Sequence, residues 1–197
     1  RAGQTVLIQG GAGGVGHVAV QIALAREAKV FATALGEDLD YVRSLGATPI
    51  DGSIAVEAYV AEHTGNKGFD LVYDTIGGPV LDASFRAVKR FGHVVSCLGW
   101  GTHKLAPLSF KQATYSGVFT LHTLLADEGR GHFGKILTEA GALVDAGKLV
   151  PRLDPRAFSV EEIGAAYDAV LGLNGAARPQ GKIAITIDPQ SGHPQQG

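Results

Sequence analysis

A single cysteine in 197 residues, Cys97, excludes an internal disulfide and a cysteine-thiolate zinc cluster within this chain. In the apolar run HVVSCL it reads as a small buried core residue. Charge is sparse and balanced: 17 Lys and Arg face 19 Asp and Glu, a net charge of −2. That balance gives no reason to expect nucleic acid or an anionic membrane as a partner. No apolar run reaches the length of a bilayer span, and no stretch has the pattern of a secretory signal. The composition is compatible with a cytoplasmic location. There is no internal repeat, and the only biased segment is a Pro, Gln, Gly and Ser tail over 189–197, expected to be disordered. Seven histidines invite a metal reading. The near pairs, His93 with His103 and His122 with His132, have neither i, i+4 helical spacing nor a carboxylate partner at zinc-site spacing, so no metal site is expected.

What the chain does have is a glycine-rich turn in an informative place. Val6-Leu7-Ile8 is an apolar strand pattern, and it enters Gly10, Gly11, Gly13, Gly14 and Gly16. Val15, Val18, Ala19 and Ile22 then recur at helical spacing. Gly11-x-Gly13-x-x-Gly16 thus follows a strand and opens a helix, which is where a dinucleotide fingerprint must lie. Gly11 would allow the tight turn, Gly13 the approach of a pyrophosphate, and Gly16 close packing of helix on sheet. The helix N-terminus would offer free N–H groups and partial positive charge to the phosphates. His17 would face solvent or the helix interior, or lie near the phosphates. A P-loop is excluded because His17 and Val18 stand where Lys and Ser or Thr are needed. A short-chain dehydrogenase is excluded as well, since no tyrosine has a lysine four residues on.

Strand and helix patterns alternate through the rest of the chain. Strands are expected at 30–34, 48–51, 69–74 and 94–98, and helices around 39–45, 56–63 and 80–88. The strands are nearly continuous apolar runs, as in a parallel sheet covered on both faces. A long loop, 99–111, leads to a sixth, edge strand at 113–121. A helix over 133–144 closes at Gly147; an extended stretch, a helix marked by Val160, Ile163, Tyr167 and Val170, and a final strand at 182–187 follow. The expected fold is a doubly wound parallel α/β sheet, a Rossmann fold with its ligand crevice at the strand C-terminal ends.

The turn GGAGGVG, the segment Arg43-Ser44-Leu45-Gly46-Ala47, the strand FDLVYDTIGG and the closing GKIAI resemble the medium-chain dehydrogenase/reductase superfamily. Within it they are most similar to the quinone oxidoreductase branch, and the likeness runs from residue 3 to 187. The resemblance implies an upstream GroES-like catalytic domain that is absent from these residues, as the initial Arg1 also suggests. It divides the chain into a dinucleotide-binding domain over 1–147 and a segment over 148–188 that packs on the catalytic domain.

The resemblance also implies a cofactor and a site. The end of the second strand, Thr33 and Ala34, lacks the acid that binds a ribose 2′-OH, which favours NADP over NAD. Asp38, beside Glu37, stands where this branch often has a lysine for the phosphate. Two acids there oppose a phosphate, so NAD stays possible. Asp74, Thr75, Ile76 and Gly77 are implied near the adenosine side, with a turn-forming role the alternative for Asp74. Leu98, Gly99 and Trp100 are implied near the nicotinamide, as are Val118, Phe119 and Lys182; for Trp100 the alternative is a loop anchor. No residue stands out as a catalytic acid. The expected activity is hydride transfer between NADP(H) and a quinone, enone or carbonyl, a small-molecule substrate. The alternatives are a zinc alcohol dehydrogenase, a non-catalytic nucleotide-binding module and, more distantly, a methyltransferase. The exposed, β-prone strand 113–121 is expected to join two copies into a homodimer.

Overall fold

The apolar runs and the helical repeats between them resolve into alternating strands and helices, in a computed structural model that describes residues 2–126 and 129–187. The first half runs β1 (Thr5–Gln9), α1 (Gly16–Ala25), β2 (Lys29–Ala34), α2 (Asp38–Ser44), β3 (Thr48–Asp51) and α3 (Val56–Thr64). Then come β4 (Phe69–Asp74), α4 (Pro79–Ala87), β5 (Val88–Ser96), α5 (Ala106–Lys111), β6 (Thr114–Gly117), α6 (Thr120–Leu125) and α7 (Arg130–Asp145). Six strands form one sheet in the order β3-β2-β1-β4-β5-β6, and every neighbouring pair is parallel. The chain builds outward from β1 to β3, then returns to the other flank of β1 for β4. That reversal opens a crevice at the C-terminal ends of β1 and β4.

Period-two alternation in β1 explains why both faces are covered. Leu7 points into one core with Phe31, Tyr59, Phe69, Val72, Leu81 and Phe85. Val6 and Ile8 point into the other, with Val20, Val30, Ala32 and Val42. α3 and α4 therefore cover one face and α1 and α2 the other, and the sheet is apolar on both sides as the sequence indicates. Helix ends follow the glycines: Gly65, at φ +56°, closes α3 in the left-handed region.

Several boundaries differ from the sequence reading. Val88 does not continue α4; it opens β5, which begins six residues before the expected Val94 and holds an irregular register against β4. Cys97 lies just beyond β5 and is half-buried, not a core strand residue. The expected loop 99–111 contains α5, started by Pro107 in its first turn and seated by the buried Leu108. The expected strand 113–121 is only Thr114–Gly117, and the chain then turns into α6.

The chain divides after Val150 into two compact units, so 148–150 belong with the first. The reason is local: Gln21 donates to the Val150 carbonyl at 3.0 Å and accepts from its N–H at 2.8 Å, and Leu149 is buried. The second unit holds β7 (Leu153–Ser159), α8 (Ile163–Leu171) and β8 (Lys182–Thr186), with β7 and β8 parallel. Val160 precedes α8 instead of forming part of it. The buried Asp154 organises this unit, accepting from the Arg156 guanidinium at 2.6 Å and the Gln180 N–H at 2.8 Å. The Arg156 contact holds the Asp154 carboxyl far below the usual carboxylate range. The tail 189–197, expected to be disordered, lies outside the described residues.

Candidate functional site

Six parallel strands bring six C-terminal ends to one edge of the sheet, and the glycine turn sits at the centre of that edge. β1 stops at Gly10, whose φ of +74° makes it the left-handed residue of the turn. This corrects the assignment of that role to Gly11. Gly11 is required for space: a Cβ there would lie 2.5 Å from the Ala32 Cβ on β2. At Gly16 a Cβ would lie 1.9 Å from the Gly10 carbonyl oxygen, so α1 can pack on the turn only through a glycine. Gly13 differs. Its nearest obstacle would be the Gly10 carbonyl oxygen at 3.3 Å, and the residue is exposed with Gly14 and Val15. The protein's own packing rules out a side chain at Gly11 and Gly16, whereas at Gly13 it asks the Gly10 carbonyl to give by only a few tenths of an ångström.

α1 begins at this opening with no side chain capping its N-terminus and no acid in its first turn. His17 and Ala19 N–H already donate to the Gly13 and Val15 carbonyls, so it is the Gly14, Val15 and Gly16 amides, with the positive end of the helix dipole, that suit an anion here. His17 is buried at 1% exposure, and its Nδ1 lies 2.8 Å from the Gly13 carbonyl oxygen. It braces the turn from below and does not point to solvent.

A buried polar network holds the turn from behind. Gly10 N–H donates to Thr33 Oγ1 at 3.0 Å, and Gly11 N–H to the Thr33 carbonyl at 2.8 Å. The Thr33 hydroxyl in turn donates to Gln9 Oε1 at 2.9 Å. Gln9 Nε2 donates to the Tyr59 hydroxyl at 3.2 Å and approaches Ser84 Oγ at 3.4 Å. Thr75 Oγ1 closes the arrangement by donating to the Gln9 carbonyl at 2.7 Å. Thr33 and Thr75, expected as cofactor contacts, thus spend their hydroxyls on the turn itself. Gln9, Tyr59 and Ser84 were not singled out from the sequence; a glutamine inside an otherwise apolar strand was the available signal.

Asp74 is also corrected. It is fully buried, and its carboxylate accepts from Gly77 N–H at 3.0 Å, Ile76 N–H at 3.2 Å and Ser96 Oγ at 2.6 Å. Ser96 Oγ accepts in turn from Leu98 N–H at 3.0 Å. One carboxylate therefore shapes the turns after both β4 and β5. The strand order also places β4 on the opposite flank of β1 from β2, away from a ribose-reading position at Ala34. Tyr73, beside it, stays protonated near neutrality: burial next to Cys97 pushes its hydroxyl up to about 12.

On the β2 flank, Ala34 is buried, while Gly36 and Glu37 are exposed and Asp38 is half-buried. Arg43 is taken up by Asp40. Asp51 sits beside Ala34 in the sheet register, and hydrogen bonds from Ser53 hold its carboxyl below the ordinary value. On the other flank, Leu98, Trp100, Val118 and Phe119 are exposed, and the Trp100 and Phe119 rings meet edge to face at 5.5 Å. Gly99 passes so close to Tyr115 that a Cβ would lie 2.1 Å from its hydroxyl. Lys182 opens β8 in the second unit and is exposed there. Among the described residues no three His, Cys, Asp or Glu side chains converge as a metal site would require.

This arrangement has known counterparts. Residues 14–133 match the family pattern described as zinc-binding dehydrogenase. The chain belongs to the zinc-binding dehydrogenase family. Within this family's wider superfamily, the medium-chain dehydrogenases/reductases, it corresponds to the cofactor-binding domain. The spectinabilin polyketide synthase system protein NorB of Streptomyces orinoci is 34% identical over 192 residues, which are 96% of this chain and 8% of that protein. The chloroplastic NADPH-dependent alkenal/one oxidoreductase of Arabidopsis thaliana is 31% identical, over 93% of this chain and 41% of that protein. The crystal structure of an alcohol dehydrogenase superfamily protein from Novosphingobium aromaticivorans is 77% identical, with a TM-score of 0.94 over 95% of this chain and 57% of that one. The chain thus spans a part of each of these relatives.

The glycine geometry of this family member separates two kinds of substitution. Gly16→Ala drives a Cβ into backbone and should cost about 1–3 kcal/mol of stability, read as a lower urea midpoint. Gly13→Val, whose Cβ meets the Gly10 oxygen at 3.3 Å, should lower that midpoint less than Gly16→Ala does and abolish dinucleotide binding in a titration. Equal stability losses in the two variants, or unchanged binding by Gly13→Val, would contradict the assignment.

Proposed function

We propose that this domain binds a nicotinamide dinucleotide along the C-terminal edge of its sheet. The protein to which it belongs would then transfer hydride between that coenzyme and a quinone, enone or carbonyl compound. The observation that carries the reading is the contrast at the glycine turn. Gly11 and Gly16 are demanded by the protein's own packing, whereas Gly13 is exposed beside an uncapped helix N-terminus, where a Cβ would meet only the Gly10 carbonyl oxygen, at a tight 3.3 Å. A pyrophosphate is the group that needs both features. The bound coenzyme would supply the reactive hydride. The chain's own part is to bind and orient: Gly13, Gly14 and Val15 at the phosphates, the Ala34 edge at the ribose, and Leu98, Trp100, Val118 and Phe119 as an apolar wall that keeps water from the nicotinamide end.

The finer reading is NADP(H). Ala34 offers no carboxylate to a ribose 2′-OH, and the 31% identical Arabidopsis relative is an NADPH-dependent enzyme by name. Glu37, Asp38 and Asp51 set a limit on this preference, because their charge opposes a 2′-phosphate. Asp38→Lys should therefore tighten NADPH binding about tenfold, close to 1.4 kcal/mol, with little change for NADH. Thermal-shift or fluorescence titration with both coenzymes reads this directly. A fall in NADH affinity with no gain for NADPH would refute a phosphate pocket at this edge.

We further propose a homodimer joined through β6. It is the last strand of the sheet and all its residues are exposed. Val118 N–H already donates to the Ser96 carbonyl at 2.8 Å, so in strict alternation Gly117 and Tyr115 direct their backbone groups outward. Gly117→Pro removes an outward donor without touching the bond to β5. Sedimentation should show a dimer for the unmodified chain and a monomer for this variant; a monomer in both cases would sink the proposal.

A further inference from the structure

The loop between β5 and α5 carries Trp100, and one histidine fastens it. His103 has a side chain only 11% exposed, with Nδ1 3.1 Å from Asp82 Oδ1 on α4. Its Nε2 lies 3.2 Å from the carbonyl oxygen of Trp100. A carboxylate and a backbone carbonyl both accept hydrogen bonds and neither donates. Neutral imidazole has one N–H, so it can satisfy one of these partners and must present a lone pair to the other. Only the imidazolium, with two N–H donors, makes both bonds.

We propose that His103 is an imidazolium clasp that holds the Trp100 wall of the coenzyme crevice against α4, and that the wall is released when this proton is lost. The link to coenzyme rests on the function proposed above; the clasp itself does not. The surroundings are consistent with it. Phe85 faces the ring edge-on at 6.2 Å, and the same Phe85 supports Tyr115, against which Gly99 passes. The loop is therefore fixed on the Tyr115 side by packing and on the His103 side by two charge-assisted bonds. The charged groups about His103 are Asp82 on α4, the buried Asp74 at the end of β4, and the adjacent exposed Lys104, whose charge opposes the proton. The Asp82 hydrogen bond outweighs desolvation, and with the Trp100 carbonyl it raises the His103 pKa above the ordinary 6.5. A raised folded-state value means that the clasp is fully made below pH 6.5 and is lost as pH climbs through the raised value.

Trp100 is the only tryptophan in the chain, so its emission reports on the loop without interference. Emission should titrate as a single proton between about pH 5 and 9, with its midpoint above the ordinary imidazole value. His103→Gln should abolish this titration, and Asp82→Asn should move the midpoint down. Coenzyme affinity should weaken from the low to the high end of that range by about fivefold more in the unmodified chain than in His103→Gln. Flat emission, or the same titration in His103→Gln, would overturn the clasp. A clean titration with equal pH dependence of affinity in both would overturn its link to the crevice. If no coenzyme binds at any pH, the emission titration still decides the clasp, and the failure falls on the proposed function.

Discussion

The whole edge depends on how closely helix α1 approaches the end of β1. A Cβ at Gly16 would fall within 1.9 Å of the Gly10 carbonyl, so helix and turn are in backbone contact. That contact fixes where the N-terminus of α1 points, and so where an anion can be held. It also requires the turn to keep one shape. The turn keeps it because Thr33 holds Gly10 by its hydroxyl and Gly11 by its carbonyl, and Thr75 holds the carbonyl of Gln9. Each of these bonds is buried or partly buried, where loss of a partner costs about 1–3 kcal/mol. The polar network behind the turn is thus the structural counterpart of the glycines in front of it.

The two flanks of the crevice are built in different ways. On the β2 side the rim is short, acidic and exposed, with Arg43 engaged by Asp40. On the β5 side a buried carboxylate, Asp74, organises two successive turns through Ser96, and aromatic packing among Phe85, Tyr115, Trp100 and Phe119 sets the wall. The division suits a dinucleotide whose two halves differ in polarity: charge decides at one end, and shape and exclusion of water at the other.

Much of this was legible in the sequence because the signals were local and repeated. Thr48–Asp51 and Phe69–Asp74 are strands with the boundaries expected, since short apolar runs between glycines leave little freedom. The glycine turn was legible for the same reason. What misled were residues whose role is set by distant partners. Val88 continues the helical spacing of α4, but pairing with Phe69 draws it into β5. Val118–Leu121 extends the β-prone stretch that begins at 113, yet the chain leaves the sheet after Gly117 and turns into helix at Thr120. Thr33 and Asp74 were correctly placed at strand ends, but nothing local shows that their polar atoms turn inward. The Gln9 network and the His103–Asp82 half of the clasp were invisible for the same reason: their partners lie 24 to 75 and 21 positions away.

The central claim is that backbone N–H groups at the start of α1 bind the pyrophosphate of a nicotinamide dinucleotide. Amide hydrogen exchange, resolved by residue, tests it most directly. Added coenzyme should slow exchange and shift the amide resonances at Gly14, Val15 and Gly16, while the Gly13 N–H stays on the Gly10 carbonyl and the far end of the sheet around Phe91 is unchanged. Saturable binding with those three amides unaffected would contradict the account.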